Sequence, residues 1–302
     1  QVLWLDDIDL SRRVDGVAPA LATDGRIDFQ GARHPLLIPA VRDVLGGDAG
    51  GGTPHPIAST LSILPPASTL VISGPNTGGK TVSLKTIGLL IIMAQSGLHI
   101  PAQSGSEFSI FKDVFADIGD EQSIEQSLST FSGHITNIIR ILKESNSRTL
   151  VLLDELGSGT DPQEGAALAR AILQYMIAKR IPCFVATHFS ELKSFAHVTQ
   201  GAVNASMEFN LKTLRPTYRL SIGLPGRSNA LLIAERLGLQ EEILNYARET
   251  IDPEALTTES LLDEIHRQHD AARKARAQAD RMRSLAENDQ RKLRRQLEEI
   301  EL

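Results

Sequence analysis

Gly74-Pro75-Asn76-Thr77-Gly78-Gly79-Lys80-Thr81 decides how this chain is read. It fits G-x-x-x-x-G-K-[ST] in full, follows the apolar run Leu70-Val71-Ile72 and opens a helical pattern over residues 80–95. Glycines at these places let backbone N–H groups close around phosphate oxygens at a helix N-terminus. Lys80 would bring a point charge to the β/γ-phosphates, and the Thr81 hydroxyl is placed to ligate Mg²⁺. A Gly-rich turn with an accidental Lys-Thr is the competing explanation, and the strand-before, helix-after context argues against it.

Downstream, Leu150-Val151-Leu152-Leu153 reads as a second buried strand ending in Asp154-Glu155. Residues 163–179 then read as a helix, with Ala167, Ala171, Leu173 and Ile177 on its apolar face. A third strand, Cys183-Phe184-Val185-Ala186, ends at Thr187-His188. This alternation predicts an α/β domain on a largely parallel sheet, with chemistry at the C-terminal ends of its strands. Asp154 is then the expected Mg²⁺ carboxylate, Glu155 the residue that polarises an attacking water, and His188 a γ-phosphate sensor. Taken alone, an acidic pair at a helix start can serve only the helix dipole, and a single His is usually structural. The P-loop on the same sheet favours the chemical roles. The tight loop Leu156-Gly157-Ser158-Gly159-Thr160-Asp161-Pro162 would bring backbone close to a nucleotide or a neighbouring subunit.

Residues 1–66 read as a β-rich lead-in, with the strand-like Arg26-Ile27-Asp28-Phe29 and a flexible Gly-rich surface loop at 46–54. Residues 67–222 form the expected ATPase core, its last two strands at 202–211 and 217–221. Helices at 228–237 and 240–251 make a helix-turn-helix within 223–251. Glu241-Glu242 opens the second of these and repels phosphate, so reading of a DNA groove is rejected. From 258 to 302 there is no Pro, Gly or aromatic residue. Apolar residues recur every seven there (Ile265, Ala272, Ala279, Ala286, Leu293, Ile300), while the intervening positions are mixed. Residues 252–302 are therefore expected to be a long charged helix, a coiled-coil arm with a weak seam. Its basic run Arg291-Lys292-Leu293-Arg294-Arg295 is nearly matched by acidic neighbours, which favours a solvated helix over an RNA grip.

Composition narrows the function classes. The chain has 302 residues, a net charge of −6 and 4% aromatic residues. That argues against an all-over electrostatic hold on nucleic acid and against an aromatic binding platform. A lone cysteine, Cys183, allows no internal disulfide or Cys-rich metal site, and a reducing, cytoplasmic setting is expected. Val2-Leu3-Trp4-Leu5 runs straight into Asp6-Asp7, unlike a signal peptide, and the longest apolar run, residues 87–94, is too short to span a bilayer. No membrane role is expected. A start at Gln1 reads as a piece of a longer protein.

These motifs, in this order, resemble the ABC-type ATPase domain of the MutS family. The P-loop is similar to that family's G-P-N-x-G-G-K-[ST], and Leu128-Ser129-Thr130-Phe131 to its S-T-F signature segment. Asp154-Glu155-Leu156-Gly157-Ser158-Gly159-Thr160 resembles its D-E-x-G-x-G-T block, and Ala186-Thr187-His188-Phe189 its A-T-H-[YF]. Arg33-His34-Pro35 matches an R-H-P stretch that precedes the P-loop. The likeness covers about residues 30–251. Thr81-Val82-Ser83 and Thr160-Asp161-Pro162-Gln163-Glu164-Gly165 are closer to the second-type bacterial paralogue than to mismatch-repair members.

The resemblance implies an Mg²⁺-dependent ATPase acting as a homodimer. Gly74, Pro75, Asn76, Thr77, Gly78, Gly79, Lys80 and Thr81 would bind ATP, and Thr81 and Asp154 would hold the metal. Lys80, Glu155 and His188 would be catalytic, and Pro35 with its neighbours would brace the adenine. Ser129, Thr130 or Ser132 would cap the partner's nucleotide in trans, at the start of a helix running to about Glu144. The helix-turn-helix would embrace the partner, with Arg227, Leu231, Leu232 and Ile233 at the contact. The branch implies a coil and an Smr nuclease domain after the ATPase, with branched DNA, recombination intermediates or stalled ribosomes as targets. Three other readings stay open beside it. One is the ATPase fragment of a mismatch-repair protein that reads mismatched DNA, and one is a dimerisation module that keeps ATP as a static clamp. The third, a transporter ATPase, is the weakest, because no L-S-G-G-Q is present.

Overall fold

The computed structural model describes residues 9–44, 56–75, 78–119, 130–210, 213–226 and 230–250, with single positions beyond, at 264, 268, 271, 275, 278, 279 and 282. The Gly-rich stretch 46–54, Asn76, Thr77, Ser129 and Arg227 lie outside the described residues, as does the side chain of Thr130. The chain divides into two units, Gln1–Leu244 and Asn245–Leu302.

In the first unit, three short, mostly apolar runs, buried at every position, build the centre of a six-stranded sheet. They are β4 (Thr69–Ser73), β7 (Thr149–Leu153) and β8 (Cys183–Ala186). The strand order is β10-β9-β4-β8-β7-β6, with β6 at Asp113–Asp117, β9 at Ala202–Asn210 and β10 at Arg215–Ile222. All neighbours are parallel except β9 and β10. Because side chains alternate across a strand, Leu70, Ile72, Leu150, Leu152, Phe184 and Ala186 enter one core, while Val71, Val151, Leu153, Cys183 and Val185 enter the other.

A smaller sheet covers the first core. Its order is β1-β5-β2-β3, from Ala20–Ala22, Glu107–Ser109, Ile27–Ala32 and Ser59–Ile63. Helix α2 (Lys80–Gln95) packs in the core that both sheets share; a short α1 (Pro39–Val44) precedes it in the chain. Leu84, Ile87, Leu90 and Ile91 are fully buried there, together with Phe29, Leu61 and Phe108 of the small sheet. Each such aliphatic side chain contributes roughly 1.5–3 kcal/mol by leaving water. The second core lies under α3 (Thr130–Glu144), α4 (Pro162–Ala178) and α5 (Ser190–Val198).

Helix α4 corrects one expectation. Its buried face is Ala166, Ala169, Ile172, Leu173 and Met176, whereas Ala167 and Ala171 point to solvent. The bulky Ile172, Leu173 and Met176 set the phase, and alanines bury too little area to override them. Two further helices follow, α6 (Ala230–Arg236) and α7 (Glu241–Thr250). In the second unit the described positions from 264 to 282 are helical and exposed, and Gln268 donates to Glu264 one turn back at 3.1 Å. Of the six apolar residues of the expected seven-residue repeat, only Ala279 is among them. No helix among the described residues is long and apolar enough to cross a membrane.

Candidate functional site

The parallel strands deliver their C-terminal ends to one edge of the sheet, and the polar residues gather there. β4 runs into Gly74, whose φ of +131° only glycine adopts freely. Met207 of β9 lies 3.1 Å from where a Gly74 Cβ would sit, so a side chain would also meet a wall. Gly79, at φ +96°, precedes α2 as its N-cap, and Gly78 N–H donates to Pro75 O at 2.9 Å. This turn aims the first N–H groups of α2 outward, an arrangement suited to anions.

Lys80 is 2% exposed, and its Nζ donates to Gly74 O at 2.7 Å. Burial pushes its ammonium below the ordinary lysine range; Glu155 and Asp154 oppose that shift, and Lys193 adds to it. Thr81 Oγ1 donates to Asp154 Oδ2 at 2.5 Å, tying the start of α2 to the end of β7. The other oxygen, Asp154 Oδ1, is buried with no hydrogen-bond partner. An unpartnered buried carboxylate oxygen is costly unless something else satisfies it. One carboxylate and one hydroxyl fit Mg²⁺, which typically takes few protein ligands and fills its shell with phosphate oxygens and water. No cluster of three or more His, Cys, Asp or Glu suited to a metal occurs among the described residues.

Glu155 has φ +50°, a left-handed backbone rare for a side chain of this kind. The turn is held because Asp154 N donates to Asp117 O at 2.8 Å, and Glu155 N to Ala186 O at 3.0 Å. Beyond it, Gly157 and Gly165 meet backbone to backbone, and a Cβ on either would overlap the other's carbonyl oxygen. Asp161 caps α4, its carboxylate accepting from Gln163 N at 2.9 Å and Glu164 N at 3.1 Å. Glu155 and His188 line one groove of about 450 Å³ with Ser158, Gly159 and Thr160. His188 is exposed there and lies against Phe189, with ring centroids 4.5 Å apart and planes tilted by 35°.

Sequence reasoning missed a second concavity, about 360 Å³, beside Gly79 and Val82 at the start of α2. His34, Leu37, Ile57 and Tyr218 are among its walls. Tyr218 has φ +56°, at an irregularity in the β9–β10 pairing, and its ring lies 3.4 Å from where a Gly79 Cβ would sit. One of only three tyrosines in the chain, it was the aromatic signal available in the sequence. Pro35 itself is buried, whereas its neighbours His34 and Leu37 reach the cavity. Burial holds the His34 imidazole below its ordinary pKa, and Lys85 adds to the shift.

The structure thus brings Lys80, Thr81, Asp154, Glu155 and His188 to one end of the sheet. Of the signature segment, Ser132 is exposed in the first turn of α3. Leu237, Leu239 and Ile243 form an exposed apolar run across the α6–α7 turn, while Leu231, Leu232 and Ile233 are partly buried.

The family model described as MutS domain V matches residues 70–253. Endonuclease MutS2 of Shouchella clausii is 51% identical over 252 residues, covering 83% of this chain and 30% of that protein. Its namesake in Caldanaerobacter subterraneus is also 51% identical, over 255 residues, 84% of this chain and 30% of the relative. That of Geobacillus thermodenitrificans is 48% identical over 294 residues, 96% of this chain and 35% of the relative. The chain spans about a third of the length of these curated relatives. With the P-loop, the acidic pair and the His-bearing strand end all on one sheet edge inside the matched stretch, this chain belongs to the MutS family and carries its ATPase domain.

Proposed function

We propose that this chain is an Mg²⁺-dependent ATPase half-site that works as one of a pair, coupling ATP to the handling of branched DNA or stalled ribosomes by the full-length protein. The observation that carries the reading is the Thr81–Asp154 contact with an orphaned Asp154 Oδ1 beside the buried Lys80. Phosphoryl transfer needs positioned charge more than covalent chemistry, and these residues supply it.

The β- and γ-phosphates take the turn from Gly74 to Thr81, and the Lys80 ammonium exchanges Gly74 O for phosphate oxygen. Thr81 and Asp154 would hold Mg²⁺, which when bound would neutralise charge on the phosphate oxygens. Glu155 orients the attacking water and accepts its proton, and His188 across the same groove reads the γ-phosphate. The adenosine half takes the cavity walled by Val82, Ile57 and Tyr218. In the dimer, the first turn of α3 faces the partner's nucleotide, and the apolar run at Leu237, Leu239 and Ile243 meets the partner.

Target binding is assigned to the part of a full-length protein outside the match, because this chain is acidic and α7 opens with Glu241 and Glu242. The relatives' name places an endonuclease in those proteins, and the proposal assigns that activity there too. Glu155→Gln tests the reading. Steady-state ATP turnover should fall at least about a hundredfold, while binding of a fluorescent ATP analogue persists and the ATP-loaded variant pairs in light scattering. Wild-type turnover in Glu155→Gln would sink the catalytic assignment.

A further inference from the structure

A polar ladder outside the nucleotide groove joins the end of β6 to α3. Asp117 closes β6, and its main-chain oxygen accepts from Asp154 N, extending the β6–β7 pairing one residue past Leu153. Its side chain turns toward α3 and is 8% exposed, with both carboxylate oxygens in use. Oδ2 lies 2.7 Å from His134 Nδ1, and Oδ1 accepts from Asn137 Nδ2 at 2.8 Å. A carboxylate only accepts, so Nδ1 carries the proton that it donates. Asn137 Nδ2 also reaches Ala116 O at 3.2 Å, and Arg140 donates to Asn137 Oδ1 at 2.9 Å while lying over the Phe115 ring. Residues 134, 137 and 140 thus form one face of α3, and that face grips the last three residues of β6.

The first turn of α3 also lies close to two loop segments. A Cβ on Gly159, in the loop after Glu155, would lie 3.3 Å from Phe131 N. A Cβ on Gly119 would lie equally close to His134 Cε1, at 3.3 Å. The start of α3 therefore lies against two segments, each following a strand end next to Asp154.

We infer that His134 and Asn137 are positioning residues for ATP hydrolysis. Through Asp117 they fix the first turn of α3, which bears Thr130 and Ser132, relative to Asp154 and Glu155. The inference rests on the proposed reading, in which that turn faces the partner's nucleotide. A mere structural pin would contribute to thermal stability and nothing else. A positioning device ties pairing and turnover to the Asp117 contact while leaving the P-loop's own hold on ATP untouched.

The test uses the whole 302-residue chain. Asn places an amide nitrogen where His carries Nδ1, the same number of bonds from Cβ, so His134→Asn keeps the contact and His134→Ala removes it. His134→Ala should lower kcat at least about tenfold with KM for ATP within about twofold, a split expected when a transition-state interaction is lost. In a Glu155→Gln background it should weaken ATP-dependent pairing by a similar factor, and His134→Asn should recover both. Asn137→Ala, which removes the second arm, should act in the same direction and serves if His134→Ala fails to fold. Wild-type kcat in His134→Ala, or His134→Asn as impaired as His134→Ala, overturns the latch while leaving the ATPase reading intact. A wild-type chain that neither turns over ATP nor pairs with it overturns the reading itself, and the latch with it.

Discussion

The glycine pair behind Glu155 offers a sharp test of how the site is held. Gly157 has φ +86°, and Gly165 of α4 lies against it so closely that a Cβ at 157 would overlap the Gly165 carbonyl oxygen. Gly97, at the end of α2, has nearly the same φ, +82°, but open space around it. Replacing either by Ala forces an L residue into left-handed backbone, at about 1–2 kcal/mol. Only Gly157→Ala adds overlap with an immobile backbone atom, at about 1–3 kcal/mol more. For a unit of this size each kcal/mol moves Tm by about 2–4 °C, so Gly97→Ala should lose about 5 °C and Gly157→Ala about 10 °C. Relief of the overlap must push the loop away from α4, and Glu155 lies two residues upstream. A displacement near 1 Å at a reacting group can cost about a hundredfold, so kcat should fall more than tenfold in Gly157→Ala and stay unchanged in Gly97→Ala. Melting by circular dichroism and steady-state ATPase assays on both variants check this. Equal losses of Tm in the two, or full turnover in Gly157→Ala, would refute the argument that packing against Gly165 fixes Glu155.

Tyr218→Ala should raise Kd for ATP about tenfold, the loss expected for one base–aromatic stack, while Tyr218→Phe stays near wild type; a fluorescent-nucleotide titration measures both. Burial pushes the Cys183 thiol up to about 12 from 9.0. Between those values the unfolded chain has released a proton that the folded chain keeps, so this contribution is whole below pH 9.0 and falls as pH rises. At pH 10 the loss is about 1.4 kcal/mol. Cys183→Ala lacks it, so urea melts at pH 8 and pH 10 should show the wild-type advantage shrinking by that amount.

What the sequence revealed was what it encodes locally. Strand runs such as Cys183–Ala186 and the helix Lys80–Gln95 are bounded by their own glycines, prolines and polar ends, and the structure keeps those bounds. The P-loop and the acidic pair are contiguous, so their residues needed no long-range contact to be found. β6 escaped notice because Asp113-Val114-Phe115-Ala116-Asp117 has three apolar residues between two acids, the composition of an edge strand. Only its pairing with β7, more than thirty residues later, makes it a strand, and only then does Asp117 sit beside Asp154. Tyr218 was hidden for a similar reason. Its cavity is assembled from residues near 34, 57, 82 and 218, and its left-handed backbone arises at a break in strand register that no local pattern announces.

Parallel pairing explains why these distant pieces converge. In β4, β8, β7 and β6 every chain direction agrees, so Gly74, Thr187, Asp154 and the residues after Asp117 all emerge at one edge. β9 extends the parallel set and β10 turns back, returning Tyr218 beside Gly79. A ligand at that edge therefore touches several strand ends at once, and each end is linked to its neighbour by main chain. The link between Asp154 N and Asp117 O is the one that also leads to α3. Any shift of α3 that drags Asp117 must either break that 2.8 Å bond or carry the Asp154 backbone with it. Breaking it would leave a buried amide unpaired, at about 1–3 kcal/mol, so displacements below that cost are transmitted to the carboxylate that holds Thr81.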